Sequence, residues 1–317
     1  MADLTVTAVL PHWRDVARME RQMAALAAQS RPFDEIIVVD DASPPEDVAA
    51  LSAMLAGYPR ARLLRRAQNA GPAIATNDGL AEVRTDCVAF LASDDVVTAD
   101  FVAVTAAQLE AHPAAAFCFA DPAFSDPSGR VTEFPLYLAT APHAFTPESL
   151  RRRLEASYFT FATNTILYRT GPMRAAGGMP IRLSSFADSF VNFALGLRHG
   201  AVYVPRVLGV FCNDPGSFSH RERADPAALA GLTRAMLLAL EGEFADVAPE
   251  FRAVGVLPKH DVRMLRLLLS SPEGRRYVTP RMAARCLAIG AWHGISGRVP
   301  ASFRRFVRRI ASRAGAG

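Results

Sequence analysis

Residues 66–97 read RAQNAGPAIATNDGLAEVRTDCVAFLASDDVV, and this stretch decides the fold class. Its first part predicts a helix with small residues on one face, and its second part predicts an apolar strand that ends in Asp94 and Asp95. Adjacent carboxylates at the end of a strand repel each other, so we expect a cation between them and a ligand. A divalent metal on a diphosphate group is the simplest such arrangement.

The sequence around this stretch alternates regularly between strand and helix patterns over the first 120 residues. This alternation predicts an α/β fold with a mostly parallel sheet that is covered by helices on both faces. The predicted strands are 4–10, 35–39, 62–65, 87–91 and 115–120, and the predicted helices are 15–28, 45–55, 71–83 and 99–111. Three strands end in 11–13, 40–41 and 93–95, so these segments are expected on one edge of the sheet, where ligands bind.

The pattern is less regular after residue 120 and becomes helical after residue 220. A turn at 125–129 separates two short strands. Farther on we expect, in order, a strand at 164–168, a helix at 171–176, a flexible loop at 177–179, a helix at 186–199 and a strand at 201–211. The predicted C-terminal helices are 226–243, 259–270, 278–292 and 300–313.

The net charge is divided unevenly along the chain. The whole chain carries +4 at neutral pH, but residues 261–317 alone carry +10, so residues 1–260 carry −6. An acidic body argues against a protein that wraps nucleic acid, and the basic tail favours an anionic surface nearby.

The cysteines and the hydropathy of the chain indicate its compartment. The four cysteines, Cys87, Cys118, Cys212 and Cys286, lie far apart and form no C-x-x-C pair. This spacing indicates a reducing compartment and argues against a zinc site. The first residues lack the pattern of a signal peptide, and no apolar run approaches the about 18 residues of a membrane-spanning helix. We therefore expect a cytoplasmic protein.

Several short segments occur in a fixed order within residues 4–220. The segments are 9–13 (VLPHW), 29–30 (QS), 36–43 (IIVVDDAS), 69–71 (NAG) with Ala75, Asn77 and Gly79, 90–95 (FLASDD), 177–179 (GGM), Asp188 with 199–200 (HG), and 217–219 (SFS). Each segment alone is a weak signal, but in this order over most of the chain they resemble the inverting family-2 glycosyltransferases with the GT-A fold. The resemblance implies a GT-A domain over 1–222, with a nucleotide-sugar-binding half (1–120) and an acceptor half (121–222), followed by a helical C-terminal region (223–317).

The resemblance implies that Pro11, Trp13 and Asp41 flank the nucleobase of the donor. An aromatic ring offers a stacking face, and a carboxylate accepts a base N–H. Asn69 and Gly71 would shape a loop near the ribose and diphosphate. Alternatives remain open at this point: Trp13 as a partly buried core aromatic, Asp41 as a helix N-cap, and Gly71 as a turn residue.

The resemblance also implies a metal site for Mn²⁺ or Mg²⁺. Ser93 and Asp94 would bind the donor, and Asp94 matches the last acid of the family's D-x-D motif, whose first acid is Ala92 here. Asp95 and Asp214 are the further predicted ligands, because divalent cations of this kind prefer oxygen atoms. The alternatives are that Asp94 and Asp95 cap the following helix, and that Asp214 merely opens a turn.

Asp188 matches the acid that takes the proton from the acceptor hydroxyl in this family. The Glu that usually precedes it is Ala187 here. Inverting transfer needs one such base, and one carboxylate suffices. The alternative is an acid that only favours the start of a helix. The loop of Gly177, Gly178 and Met179 is the predicted acceptor-binding segment.

The C-terminal tail predicts an amphipathic helix over 300–313. Its apolar stripe consists of Phe303, Phe306, Val307 and Ile310, and its basic face consists of Arg304, Arg305, Arg308 and Arg309. Such a helix suits an anionic membrane surface, here the inner face of the plasma membrane. It equally suits packing of the stripe on the protein's own helices.

The predicted function is the transfer of a sugar, with inversion, from a nucleotide-sugar to a glycan or lipid-linked acceptor in the synthesis of surface polysaccharide or glycoconjugate. Two alternatives remain open. One is a degenerate family member that binds nucleotide-sugar but transfers poorly, because Ala92, Ala187, Cys212 and Asp214 depart from the family pattern. The other is a nucleotidyltransferase on a related sheet, which lacks support from a glycine-rich phosphate loop after the first strand.

Overall fold

The computed structural model of the chain describes residues 3–126, 128–157, 159–212, 217–258 and 261–296. Contacts divide these residues into two compact units. The first unit contains the described residues of 1–135, 139–146 and 161–214, and the second contains those of 136–138, 147–160 and 215–317. The division of the first domain into a donor half and an acceptor half stays a prediction.

The described strands of the first unit form one ten-stranded sheet. The strands are β1 (Val6–His12), β2 (Glu35–Asp40), β3 (Ala61–Arg65), β4 (Cys87–Phe90), β5 (Val96–Val97), β6 (Phe117–Ser125), β7 (Val131–Glu133), β8 (His143–Phe145), β9 (Leu167–Arg169) and β10 (Ala201–Cys212). Their order is β3-β2-β1-β4-β9-β6-β10-β5, with β7 beside β6 and β8 beside β10.

The pairing directions confirm the predicted mostly parallel sheet. β1 pairs in parallel with β2 and β4, and β2 pairs in parallel with β3. β9 runs antiparallel to both β4 and β6, and β6 is parallel to β10, so β6 and β10 point the same way as the first four strands. The carboxyl ends of these six strands share one side of the sheet, which we call the carboxyl edge.

Helices cover both faces of this sheet, as the sequence predicts. The described helices are α1 (Val16–Ala27), α2 (Pro45–Leu55), α3 (Pro72–Glu82), α4 (Phe101–Ala111), α5 (Pro147–Ala156), α6 (Thr170–Ala175), α7 (Ala187–His199), α8 (Phe218–Ala224), α9 (Pro226–Glu241), α10 (Ala248–Val254), α11 (Val262–Leu269), α12 (Pro272–Arg275) and α13 (Pro280–Ser296). Met23 of α1, Leu51 of α2 and Phe101 of α4 belong to the core on one face. α3 and α7 lie on the opposite face.

Close packing of α3 on the sheet depends on Gly79. A Cβ atom at this position would lie 2.4 Å from Cγ1 of Val9 and 3.0 Å from Cγ2 of Val39. Real atoms do not approach so closely, so only glycine lets α3 sit at this depth on β1 and β2. The predicted small-residue face of α3 therefore has a packing reason.

The second unit is helical, in agreement with the predicted C-terminal region. Its buried side chains include Leu150, Leu154, Leu229, Leu232, Met236, Leu240, Phe244, Phe251, Met264, Leu265, Leu268, Tyr277 and Met282. Asp225 and Asp261 cap α9 and α11 by accepting backbone N–H groups at 3.0 and 2.8 Å. On α13, Arg281 donates to the carbonyl of Glu155 at 2.9 Å at the end of α5. The predicted tail helix at 300–313 lies outside the described residues.

Two strand predictions differ from the structure. The predicted strand at 164–168 begins as a 3₁₀ turn over Thr163–Thr165, and β9 starts only at Leu167. Thr165 explains the difference, because its hydroxyl donates to the carbonyl of Ala162 at 2.7 Å and favours a turn over a ladder. The strand predicted to end at residue 120 continues to Ser125 as β6.

Within the described residues, no helix is both long enough and apolar enough to span a membrane. The described cysteines are free thiols, and Cys87, Cys118 and Cys286 are buried. Burial raises the pKa of the Cys87 thiol to about 12, so this thiol is uncharged and unreactive at neutral pH.

Candidate active site

The first cluster on the carboxyl edge surrounds the carboxylate of Asp41, which directly follows β2. Arg66 donates from Nη1 to Oδ1 at 2.5 Å, and the backbone N–H groups of Ala70 and Gly71 donate at 3.1 and 2.7 Å. Asp41 is only 3% exposed, so these charge-assisted bonds replace the water that its charge would otherwise hold. We call Asp41, Arg66, Ala70 and Gly71 the Asp41 cluster.

The geometry of the Asp41 cluster follows from the start of α3. Gly71 stands immediately before this helix with a φ of 90°, a conformation that glycine adopts without strain. Gly71 is therefore the predicted turn residue, and its N–H points at Asp41. The alternative that Asp41 caps a helix is wrong, because α2 begins at Pro45 with Pro44 at its N-cap.

Trp13 presents an aromatic face just beyond the end of β1. It is 50% exposed, so the alternative that Trp13 is a core aromatic is wrong. The guanidinium carbon of Arg14 lies 4.7 Å from the ring centroid, which is the distance of a cation–π contact. Pro11 is partly buried at the end of β1, and Asn69 is exposed before α3. An exposed ring beside the Asp41 cluster is available to stack on a planar ligand.

The second cluster follows β4, where the chain places Asp94 and Asp95. Asp94 is partly exposed, and its Oδ2 lies 3.7 Å from Nη1 of Arg18 on α1. Asp95 is 7% exposed and accepts the N–H of Cys212 at 2.9 Å. Burial, reinforced by the charge of Asp94, raises the pKa of Asp95 to about 7, and the hydrogen bond from the Cys212 N–H opposes this rise only in part. We call Asp94, Asp95, Arg18 and Cys212 the paired-carboxylate cluster.

The divalent cation predicted at the paired-carboxylate cluster stays a prediction, with Asp94 as the accessible carboxylate. The carboxylate of Asp94 reaches solvent, as does the adjacent Ser93, whereas Asp95 is buried and turned toward a backbone N–H. In the part of the chain that the structure describes, no three His, Cys, Asp or Glu side chains converge on one point. The third predicted ligand, Asp214, lies outside the described residues.

The alternative that Asp94 and Asp95 cap the following helix is wrong. α4 begins at Phe101 rather than at the predicted residue 99, and Asp100 occupies its N-cap position. Thr98 donates to the carboxylate of Asp100 at 2.7 Å, which fixes this entry to the helix. The two acids therefore have no role in the start of α4.

Asp188 lies in the first turn of α7 and is partly exposed. Its Oδ2 accepts the hydroxyl of Thr163 at 2.8 Å, and its Oδ1 accepts the N–H of Ser189 at 2.6 Å. Each oxygen thus keeps a lone pair for a further donor, which is what a base needs. The preceding Ala187 is 3% exposed, so a glutamate at this position would place its charge in a buried environment.

The turn over Thr163–Thr165 lies between the predicted base and the paired-carboxylate cluster. Thr163 donates to Asp188, and the turn packs against β4 and β5, the strands on either side of Asp94 and Asp95. Asn164 is 2% exposed, and its side-chain amide has no hydrogen-bond partner among the described residues. Packing of this turn therefore brings the predicted base and the paired acids to the same part of the carboxyl edge.

The loop of Gly177, Gly178 and Met179 is tied to α3 by the side chain of Asn77. Asn77 donates to the Met179 carbonyl at 2.9 Å and accepts the Met179 N–H at 2.7 Å. A Cβ at Gly178 would lie 2.4 Å from Oδ1 of Asn77, so this position requires glycine. Gly177 is exposed, while Gly178 and Met179 are buried. Acceptor binding by this loop stays a prediction, with Gly177 as its accessible residue.

Sequence reasoning missed four residues that organise the site. Arg66 directly follows β3, so the rule that strand ends meet on one edge was sufficient to find it. Asn192, whose Nδ2 donates to Oγ1 of Thr163 at 3.2 Å, stands four residues after Asp188, which places both on one side of α7. Arg18 and Thr163 reach their partners across 76 and 25 residues of chain, and no local pattern indicates such contacts.

The sequence profile of glycosyl transferase family 2 matches residues 7–190 of the chain. This range contains the Asp41 cluster, Asp94, Asp95 and Asp188. The profile covers more than half of the 317 residues.

Individual proteins resemble parts or most of the chain. The succinoglycan biosynthesis protein ExoW of Rhizobium meliloti (strain 1021) is 40% identical over 104 residues, a match that covers 32% of each protein. The match therefore spans about a third of that relative's length, and only that part is comparable.

Solved structures share the fold of the chain. The structure of S. aureus TarS 1-349 in complex with UDP-GlcNAc superposes with a TM-score of 0.63 at 16% identity and covers 86% of this chain and 78% of that one. The mannosyltransferase PcManGT from Pyrobaculum calidifontis, in complex with GDP-Man and Mn²⁺, superposes with a TM-score of 0.56 at 16% identity and covers 100% and 87%. These superpositions confirm the predicted GT-A-type fold.

Proposed function

The chain belongs to glycosyl transferase family 2, and on this premise we propose that it moves a sugar, with inversion, from a nucleotide-sugar donor to an acceptor hydroxyl. Its family favours this chemistry over the nucleotidyltransferase alternative. We place it in the synthesis of surface polysaccharide or glycoconjugate, with a glycan or lipid-linked acceptor. The resemblance to a succinoglycan biosynthesis protein supports this choice.

The observation that carries the proposal is the spacing of functions along the carboxyl edge. The Asp41 cluster and the exposed face of Trp13 lie at the ends of β1 and β2. The paired-carboxylate cluster follows β4, which is the next strand along the sheet. Asp188 accepts the hydroxyl of Thr163, and the turn that contains Thr163 packs against the strands on either side of that second cluster. A nucleobase, a diphosphate and an acceptor hydroxyl would need their protein partners in this order.

In the proposed reaction Asp188 accepts the proton of the acceptor hydroxyl. The hydroxyl oxygen bonds to the anomeric carbon as the bond from that carbon to the diphosphate oxygen breaks, and the nucleoside diphosphate leaves. Attack on the face opposite the leaving group inverts the anomeric centre. Asp188 is suited to this role because it is partly exposed and both of its oxygens are held by donors.

A divalent cation, Mn²⁺ or Mg²⁺, is the proposed cofactor, with Asp94, Asp95 and Asp214 as its proposed protein ligands. Of the first two, only Asp94 has a carboxylate that reaches solvent. When bound, the cation would neutralise charge on the departing diphosphate. Support comes from the accessible carboxylate of Asp94 and from the Mn²⁺ bound by the mannosyltransferase of the same fold. The 3.7 Å contact with Arg18 supplies a positive charge at the same carboxylate.

Release of nucleoside diphosphate from a panel of donors tests the proposed function. The protein is incubated with UDP-glucose, UDP-GlcNAc or GDP-mannose in Mn²⁺, Mg²⁺ or EDTA, and diphosphate release is measured beside the melting temperature with UDP or GDP. We expect one nucleotide to raise the melting temperature in the presence of metal, because it binds only the folded state. The same nucleotide's sugar should be hydrolysed slowly. No release and no shift with any of these nucleotides would refute the proposal.

A binding protein with little transferase activity is the second candidate, favoured by Ala92 and by the buried Ala187. The same panel separates the two. A degenerate member would show the melting-temperature shift with nucleotide but no diphosphate release from any donor, and Asp188→Asn would then change nothing.

The tail and the location of the protein complete the proposal. We propose that the protein acts in the cytoplasm and that residues 300–313 hold it at the anionic inner face of the plasma membrane. Flotation with anionic vesicles at low salt tests this, and truncation after Gly297 should abolish flotation without changing nucleotide binding. Rising salt should weaken binding, because exposed charges are screened within about 8 Å at physiological ionic strength. Absence of binding by the full chain would exclude the membrane role.

A further inference from the structure

A chain of hydrogen bonds leads from the core of the first unit to the carboxylate of Asp188. The hydroxyl of Tyr168 on β9 donates to Oδ1 of Asn192 at 2.6 Å. Nδ2 of Asn192 on α7 donates to Oγ1 of Thr163 at 3.2 Å. Oγ1 of Thr163 donates to Oδ2 of Asp188 at 2.8 Å. Tyr168 and Asn192 are fully buried, whereas Asp188 is partly exposed.

The direction of every bond in this chain is fixed by its inner end. Oδ1 of the Asn192 amide can only accept, so the Tyr168 hydroxyl must donate to it. The amide then has only its Nδ2 hydrogens to offer Thr163. Because the Thr163 oxygen receives that hydrogen, its own hydrogen is free to point at Asp188. The chain therefore delivers a donor to Asp188 and leaves the carboxylate as an acceptor.

The ionisation of Tyr168 is opposed by its surroundings, which keeps this direction fixed. Burial, followed by the nearby charge of Asp188, raises the pKa of Tyr168 well above its ordinary value. Tyr168 thus remains a neutral hydroxyl that donates. Its ring is packed against Phe90 and Phe117 at centroid distances of 5.4 and 5.8 Å, so the donor is also held in place.

We propose that Thr163, Asn192 and Tyr168 are positioning residues that orient the Asp188 carboxylate as a proton acceptor toward the acceptor hydroxyl. This inference deepens the proposed function and rests on it. Thr163 acts directly on Asp188, and the two buried residues act through Thr163. None of the three gives up a proton in the reaction: the only proton that moves passes from the acceptor hydroxyl to Asp188.

The substitution Thr163→Val tests the proposal, because valine keeps the shape of threonine but removes the hydroxyl. Hydrolysis of the best donor in the panel of UDP-glucose, UDP-GlcNAc and GDP-mannose is the readout, with water as the acceptor. We expect kcat to fall about tenfold, less than the about hundredfold that a 1 Å misplacement of a catalytic group can cost, while the KM for the donor stays within twofold. Thr163→Ser restores the hydroxyl and should recover kcat to within threefold. Tyr168→Phe should give a smaller fall of about threefold.

A double variant separates positioning from a general structural role. If Thr163 acts only through Asp188, Thr163→Val should have no further effect in an Asp188→Asn background, whereas independent roles would multiply. Thr105→Val is the matched control, because this buried hydroxyl on α4 donates to the Phe101 carbonyl at 2.6 Å and has no part in the chain. It should leave kcat unchanged, and melting temperatures report whether each variant folds.

The outcomes distinguish this inference from the proposed function. An active wild type with an equally active Thr163→Val variant overturns the inference alone, as do multiplicative effects in the double variant. If Thr163→Val does not fold, the same comparison is made with Tyr168→Phe, and full activity of that variant overturns the inference. A wild type that hydrolyses no donor overturns both the inference and the proposed function.

Discussion

The Asp41 cluster and the paired-carboxylate cluster solve the problem of a buried acid at a strand end in different ways. Asp41 has a guanidinium and two backbone N–H groups as donors, all supplied within thirty residues of it. Asp95 has one backbone N–H and stands beside a second acid, so its protonated form is favoured. In the first cluster, donors from the protein compensate the charge of the buried acid. In the second cluster, that compensation needs a proton or an added positive charge.

This difference indicates different functional roles for the two clusters. A complete cluster keeps its shape whether or not a ligand is present, and such a preorganised site binds without reordering. An incomplete cluster responds to cations, protons and the charge of a bound diphosphate. We therefore expect substitutions in the Asp41 cluster to change stability, and substitutions around the paired acids to change catalysis, metal use or pH dependence.

The largest expected effect is on turnover, at Asp188. Asp188→Asn should lower kcat by at least about a hundredfold, the usual contribution of a general base, with donor affinity unchanged. Steady-state kinetics with the best donor of the panel measure both constants. Glu148→Gln is the matched control, because Glu148 is also an acid in the first turn of a helix but lies on α5 in the second unit. Turnover near the wild-type value would mean that Asp188 only favours the start of α7.

The next largest effect is on stability, at Asp41. Asp41→Asn removes the charge that faces Arg66, and hydrogen bonds to charged groups contribute about 1.5–3 kcal/mol, so the free energy of unfolding should fall by about 2 kcal/mol. Urea denaturation measures the loss. Glu82→Gln is the control, because its 3.6 Å ion pair with Arg62 is exposed. An exposed pair contributes about 0–1 kcal/mol. An equal loss of stability in both variants would contradict the stabilising role of the Asp41 cluster.

A smaller effect is expected at Asp94, where a substitution should change metal-dependent nucleotide binding but not the stability of the fold. Asp94→Ala should abolish the rise in melting temperature that UDP or GDP gives with Mn²⁺, while the melting temperature in EDTA stays within a few degrees of the wild type. The carboxylate of Asp94 is partly exposed, so its removal should change the free energy of unfolding only slightly. An Mn²⁺-dependent shift that survives in the folded variant would remove Asp94 from the metal site.

The smallest effect is a dependence on pH that comes from Asp95. Its pKa of about 7 in the folded protein lies above the ordinary value of 3.8, so the folded state holds the proton more tightly than the unfolded state. This contribution to stability is fully present below about pH 4 and is lost as the pH rises through 7. In EDTA, Asp95→Asn should therefore be more stable than the wild type at pH 8 and closer to it at pH 5. A difference between the two that does not change with pH would show that the charge of Asp95 is compensated after all.

Local sequence patterns were enough to predict the first four strands and their shared edge. Residues that follow parallel strands lie at the carboxyl edge of the sheet. This rule predicts the positions of Asp41, Asp94 and Trp13, which follow β2, β4 and β1. The extension of β6 was not predictable in this way. Asp121 breaks the apolar pattern of that strand, but it is buried because the hydroxyl of Tyr203 on β10 donates to it at 2.7 Å.

The unpredicted parts of the site also depend on side-chain hydrogen bonds or on partners that are distant in sequence. The 3₁₀ turn at Thr163 has a strand-like composition, and only the hydrogen bonds of its side chains show why it turns. Burial of Asp95 was equally invisible, because its partner Cys212 is 117 residues away in sequence. A single sequence places acids at strand ends, but it does not say which of them the rest of the chain will satisfy.

The attachment of two loops to α3 has a consequence for insertions and deletions. Gly71 at the start of this helix donates to Asp41, and Asn77 within it holds Met179, so the helix sets the distance between the two contacts. Asn77 stands six positions after Gly71, which is about 9 Å of helical rise. One added residue between them would advance Asn77 by about 1.5 Å and rotate it by about 100° around the axis, away from Met179. We therefore expect homologous chains to vary in length in the loops around α3 and to keep the interval from Gly71 to Asn77 constant.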